Sequence, residues 1–322
     1  ITMHVQEMPQ PGEFTNAPSV TKSASGSFHV LQAASRMGAR TELASIMGTG
    51  PWSTMLRDSL RRSHILHTGP TRPNQDNGFR IVLTDGMQKS YVAHHGAEAH
   101  GDPSVFAHVR PQRGDVVHIS GNALMNESSL AVNAFIQQPQ CRPQGREFRI
   151  VINPTNTLRL VNDQLLENLV LTRPIWSMNR QEARTLAYRL GVSFDESATM
   201  RVNAGFDESM HALCEALGET LRAPVVLRAG ARGAWVRQHG KGVEHIDGFP
   251  TKATHIRSAG PAHTGALCAL LAEGWDLESA VQIANAAASL AIMHNHAGIP
   301  FCPTYDEAAK LVSDALTAPK KD

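Results

Sequence analysis

No apolar run in the sequence reaches the length a membrane-spanning helix needs, and no secretory leader pattern is visible. A membrane partner is therefore not expected. Charge of one sign is equally lacking: 30 Lys and Arg stand against 29 Asp and Glu. A net charge of +1 leaves no basic footprint for nucleic acid. Cysteine is sparse, and Cys141, Cys214, Cys268 and Cys302 lie far apart. That spacing fits reduced thiols in a cytoplasmic protein better than a disulfide framework. Histidine is abundant at 16 residues, yet no His-x-x-x-His or Cys-x-x-Cys pair at zinc spacing occurs. Solvated or hydrogen-bonded imidazoles account for the nearest clusters, His94-His95 and His294-Asn295-His296. Internal repeats and low-complexity segments are absent too.

What is present suffices for a sizeable core. A chain of 322 residues with 42% hydrophobic content can form one large α/β domain or two small ones. Buried strands are expected at Val116–Ser120, Phe148–Asn153, Ile175–Met178 and Val225–Arg228, with helical spacing between them. Alternation of this kind predicts an α/β fold: a three-layer, mostly parallel sheet with helices on both faces. Ile1–Val5 reads as the end of a strand of that sheet. Because the chain opens inside a strand and not on Met, residues before Ile1 are expected to be missing. Two stretches do not fit the layer. Phe14–Ser23 is polar and strand-like, and Phe79–Leu83 and Ser90–Ala93 are joined by Asp85-Gly86, a strong hairpin signal. They predict a small antiparallel appendage.

The most informative stretch is Ser258-Ala259-Gly260-Pro261-Ala262-His263-Thr264-Gly265, followed by an apolar run to Gly274. Small residues open directly into a helix, with Pro261 at its expected first position, where a missing N–H costs nothing. Such a helix mouth offers unpaired N–H groups and positive partial charge to an anion, although a plain tight helix start explains the spacing equally. In Ser177-Met178-Asn179-Arg180-Gln181-Glu182, Asn179 follows a strand. Asn179 and Glu182 stand at capping-box spacing, which needs no ligand to explain it.

The Ser258–Gly265 stretch resembles the C-terminal signature of the ribokinase-like (PfkB) carbohydrate and nucleoside kinases, Asp-Thr-x-Gly-Ala-Gly-Asp, continued in one bacterial sugar-kinase branch by x-His-x-Gly. Ala259-Gly260 and His263-Thr264-Gly265 fix the register, which sets His255 at the first Asp and Pro261 at the catalytic Asp. The resemblance extends along nearly the whole chain. Ser25-Gly26-Ser27-Phe28-His29 is similar to the family's Gly-Gly-x-x-Asn substrate turn, with Ser25 and His29 as departures. Gly48-Thr49-Gly50-Pro51-Trp52 and the lid residue Phe79 in Asp76-Asn77-Gly78-Phe79 resemble the same branch. Asn179 and Glu182 match an Asn-x-x-Glu motif that orders Mg²⁺ and its waters around nucleotide phosphates. Arg228-Ala229-Gly230-Ala231-Arg232-Gly233 resembles the nucleotide loop, and Asn285 the helix beside the adenine pocket.

The resemblance implies ATP and Mg²⁺ as cofactors, a sugar or nucleoside as the small-molecule partner, and a β lid through which two copies form a homodimer. It divides the chain into an α/β core at 1–10, 26–76 and 97–322 and a lid at 11–25 and 77–96. Asn179, Glu182, Arg228, Gly230, Gly233 and Asn285 become nucleotide-side residues, with Glu182 holding Mg²⁺ through water. Ser25, Gly26, His29 and Phe79 become substrate residues, and Ser258, Ala259 and Gly260 the anion hole. The family's substrate Asp would fall just before Ile1. Proline at 261 removes both the carboxylate that deprotonates the sugar hydroxyl and one donor N–H. A general base supplies about two to four powers of ten in rate, and an anion-hole donor about two to three. His255, in place of an Asp, argues against a monovalent cation there. Two expectations follow: a slow kinase, with His263, His255 or solvent as base, or a pseudokinase that binds sugar and nucleotide without transferring phosphate. A decayed copy with no ligand is the third.

Overall fold

The computed structural model describes residues 1–125, 127–194, 205–252, 259–294 and 301–317. His255, Ser258 and His296, singled out above, lie outside them.

The centre of the fold is a six-stranded sheet built on β7 (Val116–Ser120), β8 (Arg149–Asn153), β9 (Ile175–Asn179) and β10 (Val225–Arg228), which run parallel. Two antiparallel strands, β11 (Ala234–Arg237) and β12 (Val243–Ile246), extend it beyond β10. The parallel strands are apolar on both faces because helices cover both. Ile150, Ile152, Trp176, Met178, Val225, Leu227 and Trp235 face one way. They pack under α3 (Ser128–Ile136), α4 (Asp163–Leu171), α5 (Arg180–Arg189) and α6 (Gly205–Leu221). Their neighbours Val151, Ile175, Val226, Ala234 and Val236 face the other way, against α7 (Ala259–Ala272), α8 (Leu277–Met293) and α9 (Tyr305–Thr317). The strict alternation follows from the two-residue period of a strand. Each such side chain, fully buried, is worth about 1.5–3 kcal/mol.

Helix α1 (Ser27–Arg36) lies against α7 at very short range. A β-carbon on Gly265 would fall 2.4 Å from the Val30 carbonyl oxygen and 2.5 Å from the Ala33 β-carbon. Gly265 of the signature is thus a helix contact. Beyond α1, a two-stranded parallel sheet, β3 (Thr41–Leu43) with β4 (Ile65–His67), packs with α2 (Pro51–Arg62) around Met47, Leu60 and Ile65.

The lid is a second, four-stranded sheet in the order β2–β1–β5–β6, made of β1 (Thr2–His4), β2 (Ser19–Thr21), β5 (Phe79–Thr84) and β6 (Lys89–His94). The hairpin at Asp85-Gly86 is as expected, with Gly86 at φ +95°. One expectation is corrected. Ile1–Val5 does not end a strand of the central sheet: β1 pairs antiparallel with β2 and parallel with β5, inside the lid. The lid is therefore mixed, and residues 1–5 belong with it.

Candidate active site

The C-terminal ends of β7, β8, β9 and β10 stop at Ser120, Asn153, Asn179 and Arg228, and all four residues border one cleft of about 810 Å³ beneath the lid sheet. Open parallel sheets place their ligands at such strand ends. A second cavity of about 260 Å³ adjoins it behind the β10–β11 connection. Asn179, Arg228 and Gly260 line both, so these three residues form the partition between the two spaces.

The residues singled out from the sequence divide between them. Ser25, Gly26, His29, Phe79, Glu182 and Pro261 line the larger cleft. Gly230, Gly233, Ala259, His263 and Asn285 line the smaller one. Helix α7 already includes Ala259, so Pro261 is at least its third residue and not its first. It still lies in the opening turn, where N–H groups have no partner within the helix, so proline is tolerated.

Each side chain has a local reason for its place. Gly26 precedes α1 at φ +64°, ψ −135°, a conformation open to glycine, and this turns Ser25 and His29 to the cleft. Burial pushes the His29 imidazole down to about 4, so it is neutral at pH 7, and its Nδ1 has no partner. Phe79 is held by Trp52, with ring centroids 5.3 Å apart, and by His94 at 5.7 Å. Asn179 caps α5 in a complete capping box: its Oδ1 accepts from the Glu182 N–H and its own N–H donates to Glu182 Oε2, both at 2.9 Å. The same Oε2 lies 3.4 Å from Arg228 Nη2. Burial pushes the Arg228 guanidinium down from its ordinary value while Glu182 holds it up, and its Nε is buried without a partner. A β-carbon on Gly260 would meet Arg228 Nη1 at 3.0 Å, so the cation rests against the first turn of α7.

His263 is 3% exposed, and neither ring nitrogen has a partner in hydrogen-bonding geometry, although the Asn285 amide is near. Burial first, then the Arg228 charge, push its imidazole down to about 3. Asn285 donates to the carbonyls of Ile246 at 3.2 Å and Asp247 at 3.1 Å, tying α8 to the end of β12.

The sequence reading singled out Asp76-Asn77-Gly78 at the hairpin opening but missed how this root of the lid is anchored. Asp76 accepts from the N–H groups of Trp52 (2.9 Å) and Ser53 (2.8 Å) and from the Ser53 hydroxyl (2.6 Å), so it caps α2 from outside that helix. Glu98 accepts from Gly78 N–H at 2.8 Å, Gly96 N–H at 3.0 Å and the Asn77 amide at 3.0 Å, pinning the hairpin where it enters and leaves. Also missed were Asn122, Asn153, Thr155 and Asn156 on the cleft wall. Thr155 holds φ +56°, uncommon for a β-branched residue. The signal for these was Asn153-Pro154 at the end of a buried strand.

The family model for pfkB family carbohydrate kinases matches residues 2–304. The chain belongs to this family. Among PfkB relatives, it is 25% identical over 281 residues to the uncharacterized sugar kinase YegV of Escherichia coli K12, covering 87% of this chain and 80% of that one. The fold is similar to ribokinase from Thermotoga maritima, with a TM-score of 0.73, 16% identity and coverage of 97% and 95% of the two chains. It is also similar to fructokinase from Vibrio cholerae in its fructose-, ADP- and calcium-bound form, with a TM-score of 0.68, 17% identity and 97% of each chain covered. The α/β architecture with its β appendage is thus that of the ribokinase-like PfkB kinases.

Whether the present residues suit ATP and Mg²⁺ follows from chemistry. The lining of the smaller cavity includes Gly230, Gly233, Ala288 and Ser289, small residues that leave room for a flat ring, and it shares Arg228 with the larger cleft. No group of three His, Cys, Asp or Glu able to hold a metal occurs among the described residues. Among the described residues Glu182 is the one carboxylate lining the larger cleft, which suits Mg²⁺ held through water and nucleotide oxygens, not a protein cage.

Proposed function

We propose that this PfkB homologue binds ATP in the smaller cavity and a sugar or nucleoside in the larger cleft, and transfers the γ-phosphate only slowly. One observation carries the reading. Pro261 borders the acceptor cleft, and Glu182 is the one carboxylate lining that cleft among the described residues. Glu182 cannot replace a lost base freely, because the Asn179 N–H and Arg228 both hold its Oε2. Asn179, Arg228, Gly230, Gly233 and Asn285 serve the nucleotide, with Glu182 reaching Mg²⁺ through water. When bound, Mg²⁺ offsets phosphate charge, and Arg228 and the α7 N–H groups act beside it.

The runner-up is a pseudokinase that binds both ligands as a regulator. His263 favours it: the imidazole lines the nucleotide side, and at a value of about 3 it is a feeble proton acceptor. His263 as the substitute base is therefore set aside. The second partner is another copy of this chain. Met3, Val20, Ile81, Leu83 and Val92 share the lid face away from the cleft by register, and Val20 and Val92 are 50% and 63% exposed. An apolar sheet face of this kind suits a dimer contact.

Calorimetry with MgATP, together with coupled ADP release over a panel of sugars and nucleosides, tests the reading. Micromolar to millimolar MgATP binding with turnover far below about 10 per second, the ordinary median, is expected. Ordinary turnover defeats the impairment, and absence of MgATP binding defeats the nucleotide assignment.

A further inference from the structure

We propose that Arg228 is a built-in counter-cation for the nucleotide phosphates, so that this chain binds ATP nearly as well without Mg²⁺ as with it. This deepens the nucleotide assignment above and rests on it. Phosphate transfer, as distinct from binding, still draws on Mg²⁺.

Among the described residues lining the smaller cavity, Arg228 is the one charged side chain, and no carboxylate is there. His263 lines the same space, but burial and the Arg228 charge push its imidazole down to about 3, so it is neutral at pH 7. Arg228 also borders the larger cleft. Its Nη1 lies close to the first turn of α7, since a β-carbon on Gly260 would stand 3.0 Å away. The cation thus sits where the two cavities meet, beside a helix mouth whose N–H groups already favour an anion. Of the N–H groups that an arginine carries, the described residues engage one: Nη2 faces Glu182 Oε2 at 3.4 Å. Nε is buried with no partner, a costly state for a polar group.

Phosphate oxygens answer both features. They accept charge-assisted hydrogen bonds from the spare donors, and the planar fork of a guanidinium matches their geometry. A divalent ion, by contrast, finds its protein anchor already occupied. Mg²⁺ is commonly held through one or two carboxylates together with phosphate oxygens. The carboxylate here is Glu182, which lines the larger cleft and not the smaller one. Its Oε2 accepts from the Asn179 N–H at 2.9 Å and is neutralised by Arg228. A second cation brought to Glu182 therefore meets the repulsion of the first. The positive charge that a metal supplies elsewhere is in this chain part of β10.

Isothermal titration of the full chain with ATP in EDTA, and with MgATP at the same ionic strength, reads the ratio of the two affinities. The two should agree within about fivefold. Removing the pair together, as Arg228→Met with Glu182→Gln, leaves no charge buried alone. Metal-free ATP affinity should then fall at least about tenfold, the loss of one charged hydrogen bond. Glu182→Gln alone frees the cation from its partner, so metal-free ATP should bind as tightly as to the parent or more so. Circular dichroism confirms that each variant is folded. MgATP bound more than about fivefold tighter than metal-free ATP by the parent overturns the proposal. Metal-free affinity unmoved in the double variant does so too, as does loss of MgATP binding in folded Glu182→Gln, which would mark Glu182 as a required metal anchor. A protein that binds MgATP but no ATP in EDTA contradicts the metal-independent binding alone. One that binds neither contradicts the nucleotide assignment as well.

Discussion

Arg228 Nη2 stands 3.4 Å from Glu182 Oε2 across the ends of β10 and α5, with the two side chains 13% and 7% exposed. A largely buried cation of the partition between the two cavities is thus paired with a buried anion on the wall of the larger cleft, and each keeps the other tolerable. Desolvation makes such a pair a poor source of net stability but an expensive one to break. It also delivers a fixed positive charge to the first turn of α7, where Pro261 has no N–H to donate.

Arg228→Met should therefore cost about 3–5 kcal/mol by leaving the Glu182 carboxylate buried and unpaired. Adding Glu182→Gln to it should restore most of that loss, since glutamine still completes the capping box with Asn179. Urea unfolding of the single and double variants measures this, and a double variant as unstable as the single one would show that the pair is not the cause. MgATP affinity should fall in both variants, because stability and phosphate contact are separate consequences.

Gly265→Ala drives a methyl group to 2.4 Å from the Val30 carbonyl, a backbone atom that cannot turn away. Overpacking of this type costs about 1–3 kcal/mol. A lowered thermal midpoint is expected, and an unchanged one would mean that α1 and α7 can slide apart freely.

His263 sets a pH dependence. Its folded value of about 3 lies below the ordinary 6.5, so the folded state refuses a proton that the unfolded chain accepts. Stability contributed by the neutral ring is complete above pH 6.5 and falls as the pH drops from 6.5 towards 3. The slope approaches about 1.4 kcal/mol per pH unit for one such group. His263→Leu should flatten the stability curve in this window by up to that amount, read from urea midpoints at pH 7, 6, 5 and 4.5. An identical slope in the variant would show that the ring takes up its proton in the folded state.

Local features were the legible ones. The Asp85-Gly86 hairpin, the Asn179–Glu182 box and the alternating strands are each written within a few residues, so pattern and turn chemistry suffice. The box also shows why motif and cap were indistinguishable from sequence: the same two side chains are placed by the cap and turned to the cavities by it. Non-local pairings were not legible. Thr2–His4 joins the lid by pairing with residues 80 positions on, and no periodicity encodes that choice. Asp76 caps a helix that begins 25 residues earlier, a partnership that no short window of sequence announces. The short strands β4 and β12 were overlooked because three or four residues carry too little alternation.

The central claim is a missing proton acceptor at the mouth of α7, and single-turnover phosphorylation in Pro261→Asp tests it most directly. With the preferred acceptor and saturating MgATP, the variant should transfer phosphate about a hundredfold faster or more than the parent, the low end of what a general base supplies. A parent already as fast as its variant, with both proteins folded and both binding MgATP, would contradict the account.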